Sequence, residues 1–179
     1  MPRFHSLHAK ILFGYCLVGL LFVALVVSSL VHFRRLETKI SEQQRVSDFH
    51  DEMRYARRME KNYLLYRKNG DLAEAIERTN NAVALIKQLP PQISDSEVQA
   101  NATEMLERYR DLLIEMANAD RFGKVSTQVT DELLITGSRM LSLGEKLDGE
   151  ALEQLAVAVE AHHRNLQYTI LAAIALAIV

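Results

Sequence analysis

The sequence is short of the residues that interrupt helices. Its 179 residues include only three Pro, seven Gly and no Trp. A sheet with many turns needs more Pro and Gly, so long helices are favoured. The single Cys, Cys16, excludes an intrachain disulfide, and the fold must therefore depend on packing alone.

Strong charge and catalytic motifs are also lacking. The formal net charge is −2, which implies no overall attraction to nucleic acid. No phosphate-binding loop, dinucleotide-binding glycine motif, H-E-x-x-H or C-x-x-C occurs. The adjacent His162 and His163 point about 100° apart on a helix, and we interpret His50 and its acidic neighbours as a solvated helix face. We therefore predict no catalytic residue, no metal, no cofactor and no nucleic-acid partner in these residues.

One long segment carries no charge at all, from residue 11 to residue 31. About twenty residues at 1.5 Å per residue cover a hydrocarbon core of about 30 Å. A cleaved signal peptide is the alternative, but its apolar region is about 7–15 residues long and ends in small residues. This run is longer and is followed by His32, Phe33 and Arg34. We predict an uncleaved transmembrane helix at 11–32, after a cytoplasmic segment at 1–10.

A second apolar run begins at Thr169 and continues to Val179. It is too short to span a bilayer as a helix. We interpret 166–179 as the start of a second transmembrane helix in a longer protein. Lys and Arg flank the first run on both sides and do not fix its orientation, but a long loop translocates largely regardless of charge. The prediction is an N-terminus inside and an extracytoplasmic domain at 33–165.

Within 33–165 the apolar residues recur at alternating spacings of four and three, the pattern of a left-handed helix bundle. Asn69-Gly70, Pro90-Pro91 and Phe122-Gly123 predict the helix ends. The fold class is therefore predicted as all-α, an antiparallel up-down-up-down four-helix bundle flanked by transmembrane helices. The predicted core-facing residues are Val46, Phe49, Met53, Ala56 and Tyr63, then Leu72, Ile76, Thr79, Val83 and Ile86, then Val98, Ala102, Met105, Tyr109, Leu112, Met116 and Ala119, and finally Val129, Leu133, Thr136, Met140, Leu143 and Leu147.

Local signals refine the predicted helix starts and one irregularity. Asp71 can form a capping box with Glu74, Ser94 can cap the third helix, and Ser126 or Thr127 can cap the fourth. After Leu147 the apolar series of the fourth helix shifts, next to Asp148-Gly149. We predict a stutter there, and the alternative is a break that would add a fifth helix from about residue 150.

The stretch from 55 to 75 is rich in basic and Tyr side chains. Its helical phase places Glu60 on a core-facing position, with Arg57 at the edge of the core. A buried charge needs a partner, and Arg108 and Arg110 are the predicted candidates.

Two interpretations of this stretch remain open. In the first, it is a solvated face with ion pairs, and Glu60 is paired within its own bundle. In the second, it is an anion pocket, because guanidinium groups bind carboxylates through two hydrogen bonds and Tyr can add contacts. The ligand-binding residues predicted by the second interpretation are Arg54, Arg57, Arg58, Glu60, Lys61 and Tyr63.

Two segments resemble bacterial transmembrane receptors. "LHAKILFGYCLVGLLFVALVV" resembles the first membrane helix of sensor histidine kinases. "ARRMEKNYLLYRKNGD" resembles the first-helix signature of helical sensor domains shared by histidine kinases and methyl-accepting chemotaxis receptors, including the helical bimodular type, with its R-x-x-E-K-[DN]-[FY]-L-L pattern. A bimodular domain has two stacked bundles, whereas 33–165 has room for one. The matching residues are Arg57, Glu60, Lys61, Asn62, Tyr63, Leu64 and Leu65.

The resemblance implies a homodimeric sensor in the bacterial inner membrane, with its helical domain in the periplasm. Such a protein detects a small molecule and shifts the fourth helix relative to the first. The anion-pocket interpretation of the basic stretch makes a small organic anion the candidate molecule. We expect the sensing region of a two-component histidine kinase, whose catalytic part would follow Val179. A chemotaxis receptor is the alternative within signalling. A structural membrane protein whose bundle docks a partner protein is the alternative from another class.

Overall fold

The computed structural model describes residues 7–91, 93–121 and 126–178. The predicted all-α class is confirmed, and these residues contain no strand. The four helices are α1 (Leu7–Tyr66), α2 (Asn69–Ile86), α3 (Ser96–Arg121) and α4 (Thr127–Ile178). The predicted helix end at Phe122-Gly123, residues 1–6 of the predicted cytoplasmic segment and Val179 lie outside the described residues.

The first helix ends earlier than predicted, at Tyr66 rather than at Asn69-Gly70. Arg67 adopts the left-handed conformation with φ 53°. Its backbone N–H donates to the Tyr63 carbonyl at 2.8 Å. This is the geometry that usually places Gly after a helix, so Arg67 takes the role that the sequence assigned to Gly70. Asn69 and Gly70 instead belong to the first turn of α2.

The predicted capping residues are confirmed at one of three helix starts. α2 has no side-chain hydrogen bond at its N-cap, so the capping box predicted at Asp71 is wrong. Asp95 Oδ1 accepts a backbone N–H of α3 at 2.8 Å, which makes Asp95 rather than Ser94 the N-cap of α3. Ser126 Oγ accepts a backbone N–H of α4 at 3.2 Å, as predicted.

The chain divides into two compact units, and one of them, Ile40–Gln154, contains the hydrophobic core. All four helices contribute to this core. The predicted core-facing residues of α1 are confirmed, because each of them is fully buried. The large side chains buried most completely are Phe49, Met53, Tyr63, Ile86, Leu106, Tyr109, Leu112, Leu113, Met116, Leu133, Met140 and Leu147.

The core-facing series of α4 differs from the prediction. Gly137 and Gly144 are buried, whereas the predicted Thr136 and Leu143 are only half-buried. With these glycines included, the buried positions from 133 to 151 alternate between spacings of four and three without a change of phase. α4 also continues as one helix across Asp148-Gly149. The predicted stutter and the alternative fifth helix are therefore both wrong, because a hydropathy pattern does not register a Gly as a core residue.

The other unit comprises Met1–Lys39 and Leu155–Val179. Its apolar part of α1 is long and apolar enough to cross a membrane, by length and composition, and it is not buried within the protein. This agrees with the transmembrane helix predicted at 11–32 as far as length and composition go. The apolar run from Thr169 is helical as far as Ile178, as the end of α4.

Candidate functional site

Glu60 is a carboxylate at a fully buried, core-facing position of α1. The Arg57 guanidinium, one turn earlier, donates from Nη1 to both carboxylate oxygens. The Tyr109 hydroxyl of α3 donates to Glu60 Oε2. A buried carboxylate is tolerated only when donors of this kind replace water. The sequence anomaly at Glu60 is thus resolved by one charged donor and one neutral donor.

Arg57 is itself buried, with 7% of its surface exposed. Its second terminal nitrogen, Nη2, donates to the backbone carbonyl of Leu134 on α4 at 3.1 Å. Gly137 lies beside the same guanidinium, and a Cβ there would be 2.7 Å from Arg57 Nη1. Helix α4 therefore accommodates the guanidinium in two ways. The Leu134 carbonyl accepts a hydrogen bond from it, and Gly137 has no side chain that would clash with it. We call Arg57, Glu60, Tyr109 and the Leu134 carbonyl the buried ion cluster, which joins α1, α3 and α4.

The protonation of this cluster follows from its burial. Burial raises the pKa of the Glu60 carboxyl above its ordinary 4.5, against the opposing effects of the Tyr109 hydrogen bond and the Arg57 charge. Burial, together with the negative charge of Glu60, raises the pKa of the Tyr109 hydroxyl well above 10.0. Tyr109 therefore keeps its proton and acts as a hydrogen-bond donor to Glu60.

The predicted partners of Glu60 were wrong in identity. Arg108 forms an ion pair with Glu132 at 2.6 Å, and Arg110 pairs with its neighbour Asp111 at 3.0 Å. The phase of α3 turns Tyr109 toward the core and the two arginines away from it. The interpretation that Glu60 is paired within its own set of helices is nevertheless confirmed.

The basic side chains on the outer face of α1 have other partners. The guanidinium carbon of Arg58 lies 4.0 Å from the centre of the Tyr55 ring, a cation–π contact. Arg54 Nη1 lies 3.7 Å from Asp51 Oδ1, and both side chains are about two-thirds exposed. A cleft of 360 Å³, which we call the outer cleft, is lined by Asp51, Arg54, Tyr55 and Arg58.

The six predicted ligand-binding residues are thereby divided between two environments. The core-facing group is buried, and the outer group is exposed. A ligand in the outer cleft cannot contact the buried group while the core stays closed. The buried residues are Arg57, Glu60 and Tyr63, and the exposed residues are Arg54, Arg58 and Lys61.

A second contact between α1 and α4 was missed by the sequence analysis. His50 Nδ1 lies 3.7 Å from Asp148 Oδ2, and both side chains are largely shielded from solvent. A Cβ on Gly144 would be 3.0 Å from His50 Cδ2. His50 therefore packs toward α4 instead of forming the solvated face that was predicted. A Gly on the opposing helix was the available signal, because it marks a close approach by a large side chain.

Within the described ranges, no group of three or more His, Cys, Asp or Glu side chains could hold a metal ion. Comparison of the chain with protein-family models, with curated proteins and with solved structures gives no match. The resemblance of the first helix to helical sensor domains therefore stays a prediction.

Proposed function

We propose that the chain is the extracytoplasmic sensing and transmembrane signalling region of a two-component sensor histidine kinase. In this proposal the unit Ile40–Gln154 is an up-down-up-down four-helix bundle in the periplasm. The apolar ends of α1 and α4 are membrane helices in the bacterial inner membrane. A small organic anion is the signal, and two copies of the chain form a homodimer.

The observation that carries the proposal is the continuity of α1 and α4. α1 is one helix of 60 residues that contains both the apolar segment and core residues as far as Tyr63. α4 is one helix of 52 residues that leads from core residues to the apolar run after Thr169. A shift of either helix in the core can therefore be passed along a continuous helix toward the bilayer, as transmembrane signalling requires.

The buried ion cluster supplies a reason for the two helices to shift together. Arg57 of α1 is bonded to a carbonyl of α4, and Glu60 of α1 is bonded to Tyr109 of α3. Buried polar contacts depend steeply on geometry, because an unmade hydrogen bond leaves an uncompensated charge. A small displacement of α1 therefore changes the energy of its contact with α4, which favours two discrete arrangements over a gradual one.

The anion is proposed to bind first at the outer cleft. Arg54 and Arg58 present guanidinium groups there, beside the Tyr55 ring. Guanidinium groups suit a carboxylate because they donate two parallel hydrogen bonds. Binding would draw Arg54 away from Asp51 and Arg58 from Tyr55, on the same turns of α1 that carry Arg57.

Topology is tested by fusing alkaline phosphatase, which is active only outside the cytoplasm, after Gln88 in the connection between α2 and α3. We expect high phosphatase activity there, and low activity from a fusion after residue 8. Equal activity at both sites would contradict a membrane helix at 11–32 with an external domain.

Signalling is tested by joining residues 1–179 to the remainder of the second membrane helix and the kinase region of a characterised receptor, and by measuring phosphorylation of its response regulator. We expect a member of an organic-acid panel to change this output, and Arg54→Gln with Arg58→Gln to abolish the response. The matched control is Arg45→Gln, an exposed α1 arginine outside the outer cleft. A chimera insensitive to every acid and to Glu60→Gln would overturn the signalling role and favour a surface that only docks a partner protein.

The proposed homodimer is tested separately, by sedimentation of the full chain in detergent. We expect a mass of two chains that falls to one chain on dilution. A single-chain mass at every concentration would exclude the dimer without affecting the topology result.

A further inference from the structure

A second cleft lies where the apolar segment of α1 ends. It has a volume of 430 Å³ and opens between α1 and α4, within the unit Met1–Lys39 with Leu155–Val179. We call it the juxtamembrane cleft. Its lining residues are His32, Arg35, Leu36, Thr38 and Lys39 of α1 with Ala158, Ala161, His162 and Asn165 of α4.

The lining has the chemistry of an anion site. It contains a guanidinium, an ammonium, two imidazoles, a hydroxyl and an amide, and none of its residues is acidic. Because Lys39 has another interaction in the structure, Arg35 and the two imidazoles are the groups that we assign to the anion. The Asn165 side-chain amide lies 3.3 Å from His32 Nε2 and connects the two walls.

One lining imidazole has spare hydrogen-bonding capacity. His162 Nδ1 is buried and has no hydrogen-bond partner among the described residues. A buried polar atom of this kind needs a partner from outside the chain, such as water or a ligand atom. Ala158 and Ala161 leave space beside it because their side chains are single methyl groups.

The position along α1 identifies the anion. Arg35 is four residues, or about 6 Å, beyond the last residue of the uncharged segment at Val31. The headgroup layer of a bilayer is about 5–8 Å deep on each side of the hydrocarbon core. On α4, Asn165 precedes the apolar run by the same four residues. Both walls thus reach the depth at which lipid phosphates lie.

We propose that the juxtamembrane cleft binds the phosphate of an anionic phospholipid headgroup. Arg35 donates to the phosphate oxygens, His162 adds a hydrogen bond, and the two alanines accommodate the glycerol backbone. This inference rests on α1 crossing the bilayer, which belongs to the proposed function, but not on any ligand in the outer cleft. Under this proposal, the lipid composition of the membrane affects the segments of α1 and α4 that line the juxtamembrane cleft.

The experiment is native mass spectrometry of the full chain in detergent, with phosphatidylglycerol and phosphatidylcholine supplied together. We expect the wild-type chain to retain phosphatidylglycerol preferentially. Arg35→Gln should lower that preference about tenfold, or about 1.4 kcal/mol, because it removes the charge-assisted hydrogen bonds to the phosphate. The matched control is Arg34→Gln, which removes the same charge from an exposed neighbour that does not line the cleft, and it should change the preference less than about twofold.

A second pair of variants tests the shape of the cleft without changing charge. Ala158→Leu should fill the space and lower the retention of phosphatidylglycerol, whereas Ala156→Leu, exposed on the same helix and outside the cleft, should not. Equal losses for Arg34→Gln and Arg35→Gln, or no loss for Ala158→Leu, would overturn the proposal. Displacement of the lipid by excess inorganic phosphate would also overturn it, in favour of a free anion. Carbonate extraction of the same variants shows whether α1 still inserts, so a failed membrane span is told apart from a failed lipid site.

Discussion

At the scale of single residues, Glu60 is governed by a competition between desolvation and hydrogen bonding. Complete burial opposes its negative charge, and two donors, Arg57 and Tyr109, support it. The raised pKa of Glu60 shows that desolvation is the larger effect. The desolvation cost of Glu60 therefore offsets part of the stability that its two hydrogen bonds contribute.

This balance predicts different effects for two substitutions of Glu60. Glu60→Ala removes both acceptor oxygens and leaves Arg57 and Tyr109 with buried donors, so we expect a loss of about 3–5 kcal/mol in the free energy of unfolding. Glu60→Gln keeps one acceptor oxygen and removes the desolvated charge, so its cost should be about 1–2 kcal/mol. Urea denaturation of the full chain in detergent, followed by circular dichroism, measures both. Equal costs for Glu60→Ala and Glu60→Gln would show that Arg57 and Tyr109 do not depend on a hydrogen-bond acceptor at residue 60.

The raised pKa of Glu60 also predicts how stability depends on pH. Between the ordinary value of 4.5 and the higher folded value, the unfolded chain has lost the Glu60 proton and the folded chain still holds it. Unfolding then releases a proton, so rising pH favours unfolding across this window. The free energy of unfolding of the wild type, minus that of Glu60→Gln, should fall as pH rises from 4.5 and level off above the folded pKa. A difference that grows with pH would mean that Arg57 outweighs desolvation.

At the scale of helices, the core of α1 was predicted from the sequence, whereas that of α4 was predicted only in part, at Leu133, Met140 and Leu147. Val46, Phe49 and Met53 follow an apolar period of four and three, and apolar side chains are what that period detects. Gly137 and Gly144 fill the corresponding positions on α4, where large side chains of α1 occupy the space. A hydropathy pattern cannot detect a core position that is occupied by Gly, because Gly contributes space for a neighbouring side chain and has no apolar side chain itself.

The same limitation explains how the candidate site was only partly predicted. Glu60 was recognised because a charge interrupted an apolar series. Tyr109, which donates to Glu60, was correctly predicted to face the core. Arg108 and Arg110 were predicted as partners of Glu60 because the phase of α3 was not taken into account. The Leu134 carbonyl could not be predicted, since a backbone acceptor on a distant helix leaves no trace in residue type.

The glycines of α4 give the prediction that belongs to this scale. Gly137→Ala would place a Cβ 2.7 Å from Arg57 Nη1, and Gly144→Ala would place one 2.9 Å from the terminal methyl of Met53. We expect each to lower the free energy of unfolding by about 1–3 kcal/mol, because a packed core resists added atoms. Gly149→Ala is the control, since no atom lies within 4 Å of its added Cβ. That variant should gain about 0.5–1 kcal/mol from helix propensity alone.

Chemical denaturation of the three variants side by side checks this prediction. A uniform gain for all three would show that α4 does not pack closely on α1 at residues 137 and 144. A loss for Gly149→Ala would instead indicate a contact made by another copy of the chain, because its own chain leaves that position open.

At the scale of the whole molecule, the chain combines a unit with a dense core and a unit with exposed apolar helix surface. Every residue of the core lies between Val46 and Ala151, inside the unit Ile40–Gln154. The apolar surface of the other unit, by contrast, suits a hydrocarbon environment better than water. We therefore expect only the unit Ile40–Gln154 to fold stably in water.

The final prediction follows from that division. A fragment of residues 40–154 should be soluble, helical and cooperative in thermal unfolding, because it retains the whole core and the buried ion cluster. A fragment of residues 40–121 lacks Leu133, Met140 and Leu147, whose burial contributes about 5–9 kcal/mol. That loss is comparable to the entire stability of an ordinary domain, so the shorter fragment should melt without a cooperative transition. Circular dichroism and calorimetry on both fragments decide the matter, and a cooperative transition in 40–121 would show that α4 is dispensable for the core.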